Sequence, residues 1–184
     1  MVLPPQIAPF VGPLQLVGYL ACAISLSAFF AGSHRRFLMV GAAGSVIWML
    51  HYHLLGERVA AALSAIAGTR NTIATRVHKL PRHLRIALTV SVCMLVTTLT
   101  LTAGSGPLTA VPAFASCLST TASFWLVGRA FRRAYLVSDS CWLLFGVLAG
   151  STAGWIAASI SLGLNLWTMR RERRAAVSLA PQPA

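Results

Sequence analysis

Long apolar runs separated by short polar turns fill most of this sequence. Their pattern predicts seven helices, over about Val11–Ala31, Phe37–Leu55, Val59–Arg76, Ile86–Ala103, Pro107–Val127, Ala134–Ala149 and from the turn at 150–154 to about Met169. Most of these spans are near the roughly 20 residues that cross a hydrocarbon core of about 30 Å. The pattern therefore predicts an all-α integral membrane protein with seven transmembrane helices.

One stretch of the chain occurs twice. Moving the sequence by 94 positions (106 minus 12) places residues 106–170 over residues 12–76 without a gap. The matched positions include Gly12/Gly106, Pro13/Pro107, Arg35/Arg129, Trp48/Trp142, Asn71/Asn165 and Arg76/Arg170. Apolar composition alone would align Leu and Ala by chance, but not Trp, Asn, Pro and Arg in one register. The pattern predicts two copies of a three-helix unit, and residues 94 positions apart are called repeat mates below.

The helix between the copies sets their expected orientation. Three helices are an odd number, so two copies in direct succession would face opposite ways, and helix 4 returns the chain across the membrane. We therefore expect parallel repeats related by an axis along the membrane normal, which is a known transporter plan. The predicted organisation is a lead-in at 1–10, repeat 1 at 11–76, a basic loop with linker helix at 77–105, repeat 2 at 106–170 and a basic tail at 171–184. The alternative interpretation is a symmetric membrane scaffold.

Composition and charge agree with a membrane protein. The chain is 57% apolar and 10% charged, whereas soluble domains carry about 25% charged residues. The net charge of +12 comes from short basic clusters between apolar runs, which is typical of cytoplasmic loops and does not favour nucleic-acid binding. In the seven-span arrangement only Arg58 lies opposite those clusters. We therefore expect the N-terminus outside, the C-terminus in the cytoplasm, and the basic tail near anionic lipid. The sequence also permits a homo-oligomer.

No motif indicates an enzyme, a cofactor or a metal. Phosphate-binding Gly-rich loops, HExxH and GxSxG are missing from the sequence, and it holds three acidic residues. Its four cysteines lie inside apolar runs without metal-ligand spacing. We expect no catalytic activity, cofactor or metal.

Four residues in matched positions are candidates for binding a solute. Asn71 and Asn165 need hydrogen-bond partners in hydrocarbon, so they either face a central cavity or join helices. Trp48 and Trp142 lie inside helices 2 and 6, where they either stack on a ligand or fill the bundle core.

Three further residues are candidates for ion coupling or ion pairing. Asp139 is the acidic residue inside a predicted span, and an intramembrane carboxylate must be protonated, paired or hydrated. Arg70 lies at a similar depth and is the candidate partner in a fixed Asp139–Arg70 pair. His51 either titrates in the cavity or, as we favour, forms hydrogen bonds at the membrane interface.

The sequence also resembles known families. The run RRFLMVGAAGSVIWMLHYHLLGERVAAALSAIAGTRNTIATR resembles the YgjV-like family of bacterial inner-membrane proteins, and the likeness extends from about Gly18 to Arg171. More distantly, the three-plus-one-plus-three plan is similar to the SWEET and PQ-loop superfamily of small-solute carriers. That resemblance implies a pocket lined by Asn71 and Asn165 with Trp48 and Trp142 nearby, although helices 1 and 5 lack the Pro-Gln pair. The resulting expectation is a small-solute carrier of the bacterial inner membrane, and the alternative is a non-transporting assembly partner.

Overall fold

A computed structural model describes residues 12–104 and 106–178, which fold into α-helices joined by short turns. In these residues the helices are α1 Pro13–Ser27, α2 His34–Leu54, α3 Arg58–Ala74, α4 Arg82–Ala103, α5 Ala110–Trp125, α6 Gly128–Leu148 and α7 Thr152–Ser178. Single 3-10 turns follow α1 and α3 and precede α5. The all-α prediction is confirmed for this part of the chain. The lead-in predicted at 1–10 and the last six residues lie outside the described residues.

The helix ends differ most from the prediction in the basic segments. The predicted turn at 129–133 belongs to α6, which begins at Gly128 after the extended residue Val127. The last helix, predicted to end near Met169, instead continues as far as Ser178. Arg and Glu are good helix formers, and an ion pair of 3.1 Å from Arg132 Nε to Glu172 Oε1 ties this extension of α7 to α6.

The same turn ends α2 and α6. Gly56 follows α2 with φ +82° and its repeat mate Gly150 follows α6 with φ +68°. The next amide reaches back to the helix in both places, from Glu57 N to Tyr52 O and from Ser151 N to Gly146 O, each at 2.9 Å. This is the hydrogen bonding of a Schellman motif, which needs a left-handed residue and so favours glycine.

The packing order of the helices leaves α4 at the outside. Consecutive helices pack as α1–α2–α3 and as α5–α6–α7, while α1 also contacts α7 and α3 also contacts α5. Helix α4 packs against α3 and α5 and has Val96 as its buried residue. Many of the buried side chains are small, among them Ala21, Ala60 and Ala115. Small residues let helices approach closely, which is how helices associate in lipid.

By length and composition, three helical segments are long and apolar enough to cross a membrane. They are Pro13–Phe30, His34–Leu54 and Arg82–Ala103, with mean hydropathies of 1.6, 1.4 and 2.0. Of the other helices, α3 and α5 have only 17 and 16 residues, and α6 begins with a basic cluster. For those helices the predicted membrane crossing stays a prediction.

Close packing of α6 against α7 predicts the cost of one methyl group. A Cβ added at Gly146 would lie 2.9 Å from Trp155 N and 3.2 Å from Gly154 C, both backbone atoms. Gly146→Ala should therefore lower the free energy of unfolding by about 1–3 kcal/mol, measured by denaturant titration in mixed micelles. Gly163→Ala is the control, because nothing lies within 4 Å of its added Cβ. Equal stabilities of the two variants would contradict this packing.

Candidate functional site

A cavity of about 200 Å³ lies between the helices. Its walls come from α1, α2, α3, α5, α6 and α7, and α4 contributes no residue to them. The polar side chains on its walls are Ser25, Ser45, Ser64, Arg70, Asn71, Ser119, Ser138, Asp139 and Ser161. The cavity is smaller than the roughly 300–1,000 Å³ of pockets for drug-sized ligands, so its size suits a small solute.

Five of the seven candidate residues line this cavity. They are Trp48, Arg70, Asn71, Asp139 and Trp142, contributed by α2, α3 and α6. Asn165 and His51 are buried elsewhere, with 2% and 0% of their surfaces exposed. The structure therefore brings one of the two matched asparagines to the cavity, together with both matched tryptophans.

Arg70 binds neutral groups on one wall. Its Nε and Nη2 donate to Asn71 Oδ1 at 3.2 and 3.1 Å. Its Nη1 donates to Ser119 Oγ at 2.5 Å and to Ser116 O at 3.5 Å, which joins α3 to α5. The guanidinium lines the cavity although Arg70 is only 5% exposed. Asn71 thus holds the arginine in place with its side-chain oxygen.

Asp139 also binds neutral groups, on α7. Its Oδ2 accepts hydrogen bonds from Ser161 Oγ at 2.7 Å and from Asn165 Nδ2 at 3.1 Å. Asn165 Oδ1 in turn accepts from Arg132 Nη1 at 3.4 Å, and Arg132 binds Glu172. A row of polar side chains therefore runs from the cavity to the far end of α7.

The expected Asp139–Arg70 pair is not formed. In the described residues the ion pair within 4 Å is Arg132–Glu172, and both Asp139 and Arg70 bind neutral groups instead. The reason lies in the packing, because α3 lies against α2, α4 and α5 whereas α6 lies against α5 and α7. Each charged side chain meets polar groups of its adjacent helices first.

Asn165 and His51 join helices rather than lining the cavity. Asn165 lies behind Asp139, where its amide bridges Asp139 and Arg132. His51 Nδ1 lies 3.0 Å from Leu14 O and its Nε2 lies 2.8 Å from Ser151 Oγ. This histidine therefore links α1, α2 and the turn before α7 near the ends of these helices, and its place at the membrane interface stays a prediction.

Aromatic rings lie at two levels along α2. Tyr52 stacks between Trp48 and Trp142, with ring centroids 5.7 and 5.8 Å away and interplanar angles of 26° and 28°. Near the start of α2, Phe37 contacts its repeat mate Phe131 at 5.9 Å. Residues 37 and 52 are about 22 Å apart along a helix axis, at 1.5 Å per residue, and the cavity has residues of both levels in its wall.

Neither Tyr52 nor Phe37 was predicted as a site residue from the sequence. A signal for Tyr52 is present in the repeat, because its mate is Gly146. The ring between the two matched tryptophans therefore comes from the first unit alone. The residues that the structure describes contain no group of three His, Cys, Asp or Glu side chains that could hold a metal ion.

A bundle of apolar helices around a cavity with some polar side chains in its wall is an architecture found in polytopic membrane proteins. Residues 14–176 match the model of the family Imp-YgjV, described as a bacterial inner membrane protein. The chain belongs to this family and is a helical, multi-pass protein of the bacterial inner membrane. It is similar to the inner membrane protein YgjV of Escherichia coli (strain K12), with 29% identity over 169 residues, covering 85% of this chain and 86% of that protein. No solved structure gives a significant match.

The hydrogen bond from Asn165 to Asp139 predicts energetic coupling between these residues. In a double-mutant cycle on the free energy of unfolding, Asp139→Asn and Asn165→Ala should be non-additive by about 0.5–3 kcal/mol. Ser140 is exposed and bonds to its own helix, so Ser140→Ala and Asn165→Ala should add within about 0.5 kcal/mol. Additive effects in the first cycle would show that this bond does not form.

Proposed function

We propose that this protein is a small-solute carrier whose cavity lies between two three-helix units, α1–α3 and α5–α7, related by a pseudo-twofold axis along the membrane normal. The observation that carries the proposal is the composition of the cavity wall, since much of it consists of repeat mates. The six pairs are Ser25/Ser119, Gly41/Tyr135, Ser45/Asp139, Trp48/Trp142, Ser64/Ala158 and Ala67/Ser161. Two related units that face one path can rock against each other and open each end in turn.

Helix contacts support the symmetry. The contact between α1 and α7 is the repeat mate of the contact between α5 and α3. The matched rings of Phe37 and Phe131 touch each other, as residues next to a twofold axis do. Helix α4 lies outside this arrangement and supplies none of the cavity wall, in keeping with a linker between parallel units.

Helix lengths support seven membrane crossings. At 1.5 Å per residue, α3 spans about 26 Å, and α5 with its preceding 3-10 turn spans about 30 Å. Both lengths are near the hydrocarbon thickness of about 30 Å. Helix α7 spans about 40 Å, so its basic end would extend past the hydrocarbon, where it can lie close to anionic lipid.

The SWEET and PQ-loop carriers remain the nearest functional analogy. They share the three-plus-one-plus-three plan, with an asparagine on the third helix of a unit at the pocket, which is where Asn71 lies. The second candidate function is a non-transporting scaffold, and Asn165 favours it because its amide is used in helix–helix hydrogen bonds. The two proposals differ in whether solute crosses the membrane.

Filling the cavity should stop transport. Ala67 lines the cavity on α3, whereas Thr69 on the same helix is exposed. We expect Ala67→Trp to reduce uptake to the level of empty liposomes, and Thr69→Trp to retain it. Purified protein in liposomes would be tested with radiolabelled alanine, glucose and putrescine. Wild-type uptake no faster than that of empty liposomes for all three solutes, or equal uptake by both variants, would favour the scaffold.

The distribution of basic residues predicts the orientation. With seven crossings the basic clusters at the starts of α2, α4 and α6 and near the end of α7 share one side, which the positive-inside rule assigns to the cytoplasm. Green fluorescent protein fused after residue 184 should therefore fluoresce, and alkaline phosphatase fused there should be inactive. The reverse result would contradict either the number of crossings or their direction.

A further inference from the structure

Two ionisable side chains, one basic and one acidic, share the cavity without binding each other. Arg70 and Asp139 both line it, and among the described residues neither has a charged partner within 4 Å. A charged side chain inside a membrane is costly unless an opposite charge or water compensates it. The protein groups that bind both side chains are neutral, so a ligand with complementary charges would supply the opposite charge that each side chain lacks.

The Arg70 end has the features of a carboxylate site. A guanidinium has five N–H donors in a planar fork that fits a carboxylate. The described residues accept four hydrogen bonds from it, one from Nε, two from Nη1 and one from Nη2. One Nη2–H thus has no acceptor among them.

The Asp139 end has the features of an ammonium site. Both hydrogen bonds that Asp139 accepts from the described residues reach Oδ2, so Oδ1 is the oxygen left to accept from a ligand. Trp142 follows three residues later on α6 and therefore lies on the same face of the helix. Its ring also lines the cavity, and an indole face attracts a cation.

Arg70 and Asp139 both lie at positions where the two copies of the repeat have different residues. The mate of Arg70 is Leu164 and the mate of Asp139 is Ser45. Each unit thus adds one charge of opposite sign to a cavity whose other paired positions are neutral. A symmetric neutral solute would have no need of this difference, whereas a ligand with one positive and one negative end would bind in a single orientation.

We propose that the cavity binds a small zwitterion of the amino-acid type, with its carboxylate on Arg70 and its ammonium group on Asp139 beside Trp142. This inference rests on the proposed carrier function and names its substrate class. A simple anion would be repelled by Asp139 and a simple cation by Arg70, while a neutral polyol would leave both charges without a counter-charge. The cavity volume of about 200 Å³ restricts the ligand to a small molecule.

The test compares ligands of nearly equal size and different charge. Equilibrium binding to the full chain in nanodiscs would be measured for alanine, propionate, ethylamine and glycerol, with 4-aminobutyrate as a longer zwitterion. We expect at least one zwitterion to bind about 30-fold or more tightly than propionate, ethylamine and glycerol, because each of these three ligands leaves a buried charge unpaired. The proposal would be overturned if neither zwitterion bound, or if propionate or ethylamine bound as tightly as the zwitterions.

Charge-removing variants provide a readout that misfolding cannot imitate. Asp139→Asn should weaken zwitterion binding and strengthen propionate binding, because Arg70 remains and the repulsion is gone. Arg70→Gln should weaken zwitterion binding and strengthen ethylamine binding for the converse reason. Glu57→Gln and Arg58→Gln are the matched controls away from the cavity and should bind as the wild type does. The assigned charges would be refuted if both cavity variants bound every ligand more weakly, with no increase in affinity for propionate or ethylamine.

Uptake separates this inference from the carrier proposal. Tight zwitterion binding without uptake into liposomes would support the ligand class and refute transport. Glycerol or glucose uptake that Ala67→Trp abolishes, with no zwitterion binding, would support transport and refute the ligand class.

Discussion

Hydrocarbon offers no hydrogen bonds, so a polar group inside this bundle must find its partners in the protein. Arg70 and Asp139 carry the largest demand of this kind in the described residues. Arg70 engages Asn71 on its own helix and two groups on α5. Asp139 engages two side chains of α7. The hydrogen bonds of Arg70 join the two three-helix segments, and those of Asp139 join α6 to α7. The hydrogen bonds of these two side chains therefore hold the cavity walls in position.

Residues 94 positions apart are alike in some parts of the structure and differ in others. The turns after α2 and α6 repeat in detail because a left-handed glycine is needed at both places. The two tryptophans recur at the cavity. Differences lie inside the bundle, where Tyr52 has Gly146 as its mate and Asp139 has Ser45. Repeat mates thus agree at the two turns and at the tryptophans and differ at these two positions.

The helices and several residues of the cavity wall were predictable from the sequence. The length of an apolar run indicates a helix, and the alignment of the two copies indicates which positions correspond. The start of α6 and the end of α7 were not predictable, since clusters of arginine look like turns although arginine favours helix. Partners were predicted least well. Asp139 was matched with Arg70 by depth alone, but its actual partners depend on which helix lies beside α6. His51 likewise binds Leu14 O and Ser151, and no feature of its neighbouring sequence indicates either contact.

The different positions of the two asparagines follow from the charge that each one meets. A carboxamide both accepts and donates hydrogen bonds. Asn71 follows Arg70 and accepts from it through Oδ1. Asn165 donates through Nδ2 to Asp139 and accepts through Oδ1 from Arg132, both on α6. The same residue at the same repeat position thus binds a basic side chain in one unit and bridges an acidic and a basic side chain in the other. An amide can serve both purposes, whereas a charged or hydroxyl side chain would suit one unit better than the other. This versatility accounts for an identical pair of asparagines in a bundle whose charges are not symmetric.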